Sequence, residues 1–263
     1  MLRDIANLPK IEYDIGDGEL MNDTAYQFIT SILDLFLWGG ELIGEENLPK
    51  HGPAVFIANH LETTGPIGIA CSIPLRLYTW TVGDMVDKVR APAYLNWDFV
   101  ERQFHLKPPL GLWIATVLSK ITVPMLKSLG VVPVYRGYEH LPETLEKSLA
   151  LLLEDKFLLI FPEDNLLPYD PVTKMSAFQK SFVRVAEVYY EHTNQRLAFF
   201  PVAAHDSGYV MIGKPVLHNP LNPVGQERHR LKGLLEREVT RIYLELDGKG
   251  EGKEVGALTP VRK

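Results

Sequence analysis

The 263-residue chain contains one cysteine, Cys71, so no internal disulfide can form and a reducing compartment is expected. It also lacks a basic excess. Its formal net charge of −6 argues against nucleic acid as the main partner, because nothing domain-wide could neutralise phosphates. No uninterrupted apolar run reaches the about 20 residues of a membrane span. The opening "MLRDIANLPKIEYDIGDGEL" lacks the apolar core of a secretory signal, so a cytoplasmic location is expected. Several chemistries have no motif to carry them. There is no G-x-S-x-G, P-loop, G-x-G-x-x-G or H-E-x-x-H. His60 and Glu62 match a deaminase H-x-E fragment, but the P-C-x-x-C that would complete the zinc site is missing. No metal and no bound cofactor are therefore expected.

What is present is an alternation of elements. "PAVFIA" (53–58), "LYTWTV" (77–82), "VVPVY" (131–135), "FLLIF" (157–161) and "LAFFPV" (197–202) are short and rich in Val, Ile and aromatics, as strands covered on both faces are. "EHLPETLEKSLALLLED" (139–155) and "MSAFQKSFVRVAEVYYEHT" (175–193) have helical spacing. "GYVMIGKPV" adds a strand, and "GQERHRLKGLLEREVTRIYLEL" predicts a C-terminal amphipathic helix. The pattern predicts an α/β fold: a mostly parallel central sheet flanked by helices, with an N-terminal amphipathic helix. The expected organisation is an N-terminal segment over 1–45, an α/β domain over 46–247 and a mobile tail over 248–263.

Two segments are nearly apolar enough for a membrane. Thr24–Gly40 holds Asp34 as its single charge, and Ala25, Phe28, Ile29, Ile32 and Phe36 share a helical face. Pro109–Gly130 is interrupted only by Lys120 and Lys127, with a kink expected at Pro124. Both are read either as core helices or as interface helices with Trp38 and Trp113 at headgroup level.

In parallel sheets functional groups collect at the carboxyl ends of strands. Three polar sites stand there in the sequence: Asn59-His60, Arg136 and Glu163-Asp164-Asn165. Together these segments resemble the glycerolipid acyltransferase family, typified by 1-acylglycerol-3-phosphate acyltransferases. "GEENLPKHGPAVFIANHLETTG" resembles its N-H-x4-D block, "LGVVPVYRG" the block carrying an arginine, and "LLIFPEDN" the F-P-E-G-T-R-S block. The stretch "AFQKSFVRVAEVYYEHTNQRLAFFPVAAH" resembles the fourth, and the likeness runs from about Gly44 to Pro215.

The resemblance implies fatty acyl transfer from acyl-CoA or acyl-carrier protein, as co-substrate, to a hydroxyl of a lipid or glycerolipid acceptor at the membrane surface. His60 is then the catalytic base, and Asn59, Arg136, Glu163 and Lys180 line the acceptor side. An imidazole acting as base needs its second nitrogen held by an acceptor. The family uses the aspartate of H-x4-D, but Gly65 stands at that position here. Glu62 is the nearest carboxylate and is assigned the orienting role, with Glu163 and Asp206 as alternatives. The third block departs as well, with Asp164, Asn165 and Leu166 where Gly, Thr and Arg are usual. Lys174 or Lys180 could stand in for the lost arginine as point charges. The rival expectation is a degenerate homologue that binds lipid, acyl chains or a protein partner without turnover. A thioesterase-like hydrolase is a third.

Overall fold

A computed structural model describes residues 20–35, 40–61, 64–135, 137, 140–164 and 167–248. In chain order its elements are α1 (Asp23–Leu33), β1 (Glu41–Ile43), β2 (Ala54–Ala58), α2 (Thr64–Ser72) and β3 (Leu77–Val82). Next come α3 (Ala91–Leu95), α4 (Glu101–Phe104), α5 (Leu110–Leu129), β4 (Val132–Val134), α6 (Leu141–Leu153) and β5 (Phe157–Ile160). The chain closes with α7 (Arg184–Thr193), β6 (Ala198–Ala204), β7 (Tyr209–Ile212), β8 (Val216–Leu217) and α8 (Val224–Asp247).

The described residues form two compact units, a larger one of 23–78 with 148–248 and a smaller one of 20–22 with 79–147. In the larger unit the strands lie in the order β1-β7-β6-β2-β5, with β8 also on β6. The β1–β7, β2–β6 and β2–β5 pairings are parallel, while β7 and β8 run antiparallel to β6. Strand β2 is buried at all five residues, so its unbroken apolar run is what the interior of a sheet requires. Phe56 packs against Phe157 and Phe200 on the neighbouring strands, with ring centroids 6.2 and 5.4 Å apart. Helix α8 lies on β6 through Leu231, Leu235, Val239, Ile242 and Leu246, all fully buried. The Arg228 guanidinium clamps it to α7 by two hydrogen bonds to Glu187, at 2.6 and 2.5 Å. This mixed, mostly parallel sheet with flanking helices is the α/β class that the alternation predicts.

In the smaller unit β3 pairs parallel with β4, Trp80 opposite Val132. Leu95, Val100 and Ala115 form a small core against which Phe99, Leu106 and Ile114 pack.

Three expectations need correction. The helix expected from Met175 starts only at Arg184, after a 3-10 turn from Ser181 to Val183. Residues 175–179 stay out of a helix, and two carboxylates claim amides among them: Ser176 N–H donates to Glu163 and Phe178 N–H to Glu236. "GYVMIGKPV" is two strands, β7 and β8, broken where the Gly213 N–H turns back to the Pro201 carbonyl. Strand β1 and the helices α2, α3 and α4 add to the expected elements; three of the four are five residues or shorter. The expected C-terminal tail lies outside the described residues except for Gly248, and so do Phe36, Trp38 and Gly39.

Candidate active site

Strands β2, β5 and β6 are parallel neighbours, so their carboxyl ends share one rim. His60 follows β2 by two residues, Glu163 follows β5 by three, and His205-Asp206 follow β6 directly. Asn59, with no exposed surface, stitches the rim together. Its Nδ2 donates to the Ala204 carbonyl at 3.0 Å and its Oδ1 accepts the Ala204 N–H at 2.8 Å. The side chain thus extends the β2–β6 ladder beyond its last backbone pair, Ala58–Val202. Both polar ends of Asn59, expected on the acceptor side, point at main chain.

Glu163 does the corresponding work between β2 and the segment before α7. Its Oε1 accepts the His60 main-chain N–H at 2.7 Å, and its Oε2 accepts the Ser176 N–H at 2.7 Å. Burial pushes this carboxyl above the ordinary glutamate range, and the Ser176 and His60 amides pull it part of the way back. The surrounding segment is strapped down independently. Gln179 N–H donates to the Pro162 carbonyl at 2.7 Å, and Gln179 Nε2 donates to Asp164 Oδ2 at 2.6 Å. Position 60 is therefore fixed by a half-buried carboxyl group acting on its backbone. The imidazole itself stands edge-on to the Phe161 ring, centroids 5.2 Å apart and planes at 72°.

Leu61 adopts a φ of 24° with its side chain buried, a strained conformation for a residue with a Cβ. Its carbonyl accepts the Gly65 N–H at 3.0 Å. A Cβ placed on Gly65 would meet the His60 carbonyl oxygen at 2.7 Å and the Leu61 Cβ at 2.8 Å. Position 65 is glycine because the backbone of the histidine itself occupies the space.

No family model matches the sequence, and no curated protein matches it. Among solved structures, the chain is similar to the crystal structure of the 1-acyl-sn-glycerophosphate (LPA) acyltransferase PlsC from Thermotoga maritima. The sequences are 15% identical, the match covers 87% of this chain and 84% of that one, and the TM-score is 0.48. A likeness of this degree assigns no residue, and the site is read from its own geometry.

The remaining site residues expected from sequence divide into three groups. Glu62 and Arg136 lie outside the described residues, as do Asn165 and Leu166. Lys180 is exposed, at the turn where the strapped segment enters α7. Lys174 and Asp206, each considered separately from sequence, are an ion pair with one another. Asp206 is thus engaged by a lysine.

Sequence reasoning missed two participants. Ser176 contributes only its amide, which no side-chain pattern advertises. At the end of β6, His205 Nδ1 accepts the Ser207 N–H at 3.1 Å and lies 2.7 Å from the Ser207 hydroxyl, while its Nε2 lies 3.4 Å from Asp247 Oδ1. The amide on Nδ1 leaves the ring proton on Nε2, facing Asp247. Ser207 and His205 are both buried, and the Gly208 N–H closes the same turn on the His205 carbonyl at 2.9 Å. This trio ties the β6–β7 turn to the last residue of α8. Among the described residues, no cluster of His, Cys, Asp and Glu could hold a metal ion.

Proposed function

We propose that the chain transfers a fatty acyl group from an acyl thioester, acyl-CoA or acyl-carrier protein, to a hydroxyl of a lipid acceptor at a membrane surface. The observation that carries this reading is the clamp of Glu163 on the main chain of His60. It brings the histidine of one expected block and the glutamate of another together at the carboxyl rim of the sheet. His60 takes the proton of the acceptor hydroxyl while that oxygen attacks the thioester carbonyl. The tetrahedral adduct collapses to the ester, and the departing sulfur takes the proton from the imidazolium. Glu163 acts through the backbone and keeps the ring from drifting, which matters because positioning accounts for much of such catalysis. Glu62 as orienter of the ring, and Arg136 and Lys180 as contacts to the acceptor, belong to this proposal.

The test is release of free thiol from palmitoyl-CoA and from palmitoyl-acyl-carrier protein with a panel of acceptors: a lysophosphatidate, a neutral monoacylglycerol and water alone. Acceptor-dependent release supports transfer. Release with water alone would instead make the chain a thioesterase.

A second reading has an observation of its own. Gly65 leaves no room for the aspartate of the H-x4-D pattern, which favours a homologue that binds lipid or acyl chains without turnover. Binding of a fluorescent fatty acid with no thiol release under any acceptor would favour it.

A further inference from the structure

Helix α5 is packed the opposite way from a helix facing water. Its buried residues are the small ones, Gly111, Ala115, Ser119 and Val123, at steps of four. Ile114 and Leu118 also pack inward, but other large apolar side chains face outward: Leu110, Val117 and Ile121 form an exposed stripe, with Trp113 beside it, and Trp113 and Ile121 are 66% and 65% exposed. Large apolar side chains exposed side by side mark a contact surface rather than a solvated face. Along the Trp113 edge, steps of seven residues, or two turns, place Lys120 and then Lys127. The charge on the helix itself is of one sign, Lys120 and Lys127. From Arg102 to Tyr138 the sequence holds Arg102, Lys107, Lys120, Lys127 and Arg136 and no acidic residue, in a chain whose net charge is −6. Of the acidic residues that precede this stretch in the same unit, Asp98 and Asp84 are paired with Arg102 and Arg90, Asp87 interacts with Lys127, and Glu101 stands directly before Arg102, which leaves Lys120 as the exposed cation on the helix.

We propose that this face of α5 is the membrane-contact surface and that its occupant is an anionic bilayer. The helix lies flat in the interface, with Trp113, Val117 and Ile121 at the acyl boundary and Lys120 and Lys127 against lipid phosphates. It is long and apolar enough to cross a membrane, but its inner face is already packed in its own unit, where it contacts α3. It therefore lies on the bilayer and does not traverse it. The inference deepens the proposed function and rests on its placing the chain at a lipid surface.

The test is co-sedimentation of the full chain with phosphatidylcholine vesicles, with and without phosphatidylglycerol. The W113S/V117S/I121S variant is expected to bind the anionic vesicles at least about tenfold more weakly, with unchanged thermal melting. The K120E/K127E variant is expected to lose the preference for anionic vesicles. Should the apolar variant fold poorly, Trp113 decides. The emission lost on Trp113→Phe must shift to the blue when the wild type meets anionic vesicles, and no shift overturns the proposal. Wild-type binding by the folded triple variant overturns it, as does a lipid-free dimer that the triple variant converts to monomer. The two readings fail separately. Binding through α5 by a chain that moves no acyl group sinks only the proposed function. Acyl transfer with vesicle binding indifferent to α5 sinks only this inference.

Discussion

The carboxylate of Glu163 holds the main-chain N–H of His60 at 2.7 Å across 103 residues of sequence. Its second oxygen holds Ser176 at the same distance. Replacing Glu163 with Gln keeps the shape but turns an NH2 group toward one of those two donors. An unmet buried amide costs about 1–3 kcal/mol, so unfolding by urea is expected to require that much less free energy. Acyl transfer should fall further than stability alone explains, because the backbone of His60 is released.

The same residue gives a pH signature. Burial raises the Glu163 carboxyl above its unfolded value despite the two amides. Its contribution to stability is therefore fully present below the ordinary glutamate range and is lost as pH rises through the folded value. Wild-type stability relative to Glu163→Gln is expected to decline with rising pH across that window. A flat difference would contradict the assignment.

Glu227 runs the other way. Burial alone would raise it, but Arg230, the Asn219 N–H and the Asn222 amide hold it down at about 2. Its contribution is present above the ordinary glutamate range and is lost as pH falls from there toward about 2. Acid unfolding of Glu227→Gln should lack that part of the wild-type slope.

The fold was legible where one physical cause dominates. The apolar runs around Val55, Leu158 and Phe200 must be covered on both faces, and all became strands of the sheet. The spacing of Met175, Phe178 and Phe182 mimics a helix, yet the carboxylates of Glu163 and Glu236 claim the amides a helix would have used. His60 was legible as a polar residue ending a buried strand. The partners of Glu163 were not, because they are main-chain amides. Gly65 read as a lost aspartate, whereas the structure shows a position with no space for a side chain.

That correction carries a prediction. Gly65→Ala is expected to destabilise the fold, since its Cβ would press on the His60 carbonyl at 2.7 Å. Gly65→Asp should do so at least as strongly and should not raise activity. A gain of acyl transfer in Gly65→Asp would show that the turn yields easily.

Asn59→Ala separates a structural task from a substrate contact. It orphans the N–H and the C=O of Ala204, at a cost on the order of 2–4 kcal/mol. Urea unfolding should register that loss. A changed KM with unaltered stability would place Asn59 on the substrate instead.

The central claim is that His60 moves the proton of the acceptor. The most direct measurement compares acceptor-dependent thiol release by the wild type and by His60→Ala, with the melting curve of each recorded alongside. A general base contributes about 10²–10⁴-fold, so turnover is expected to fall by at least the lower figure while the variant still melts cooperatively. Turnover by folded His60→Ala equal to that of the wild type would remove the histidine from the chemistry.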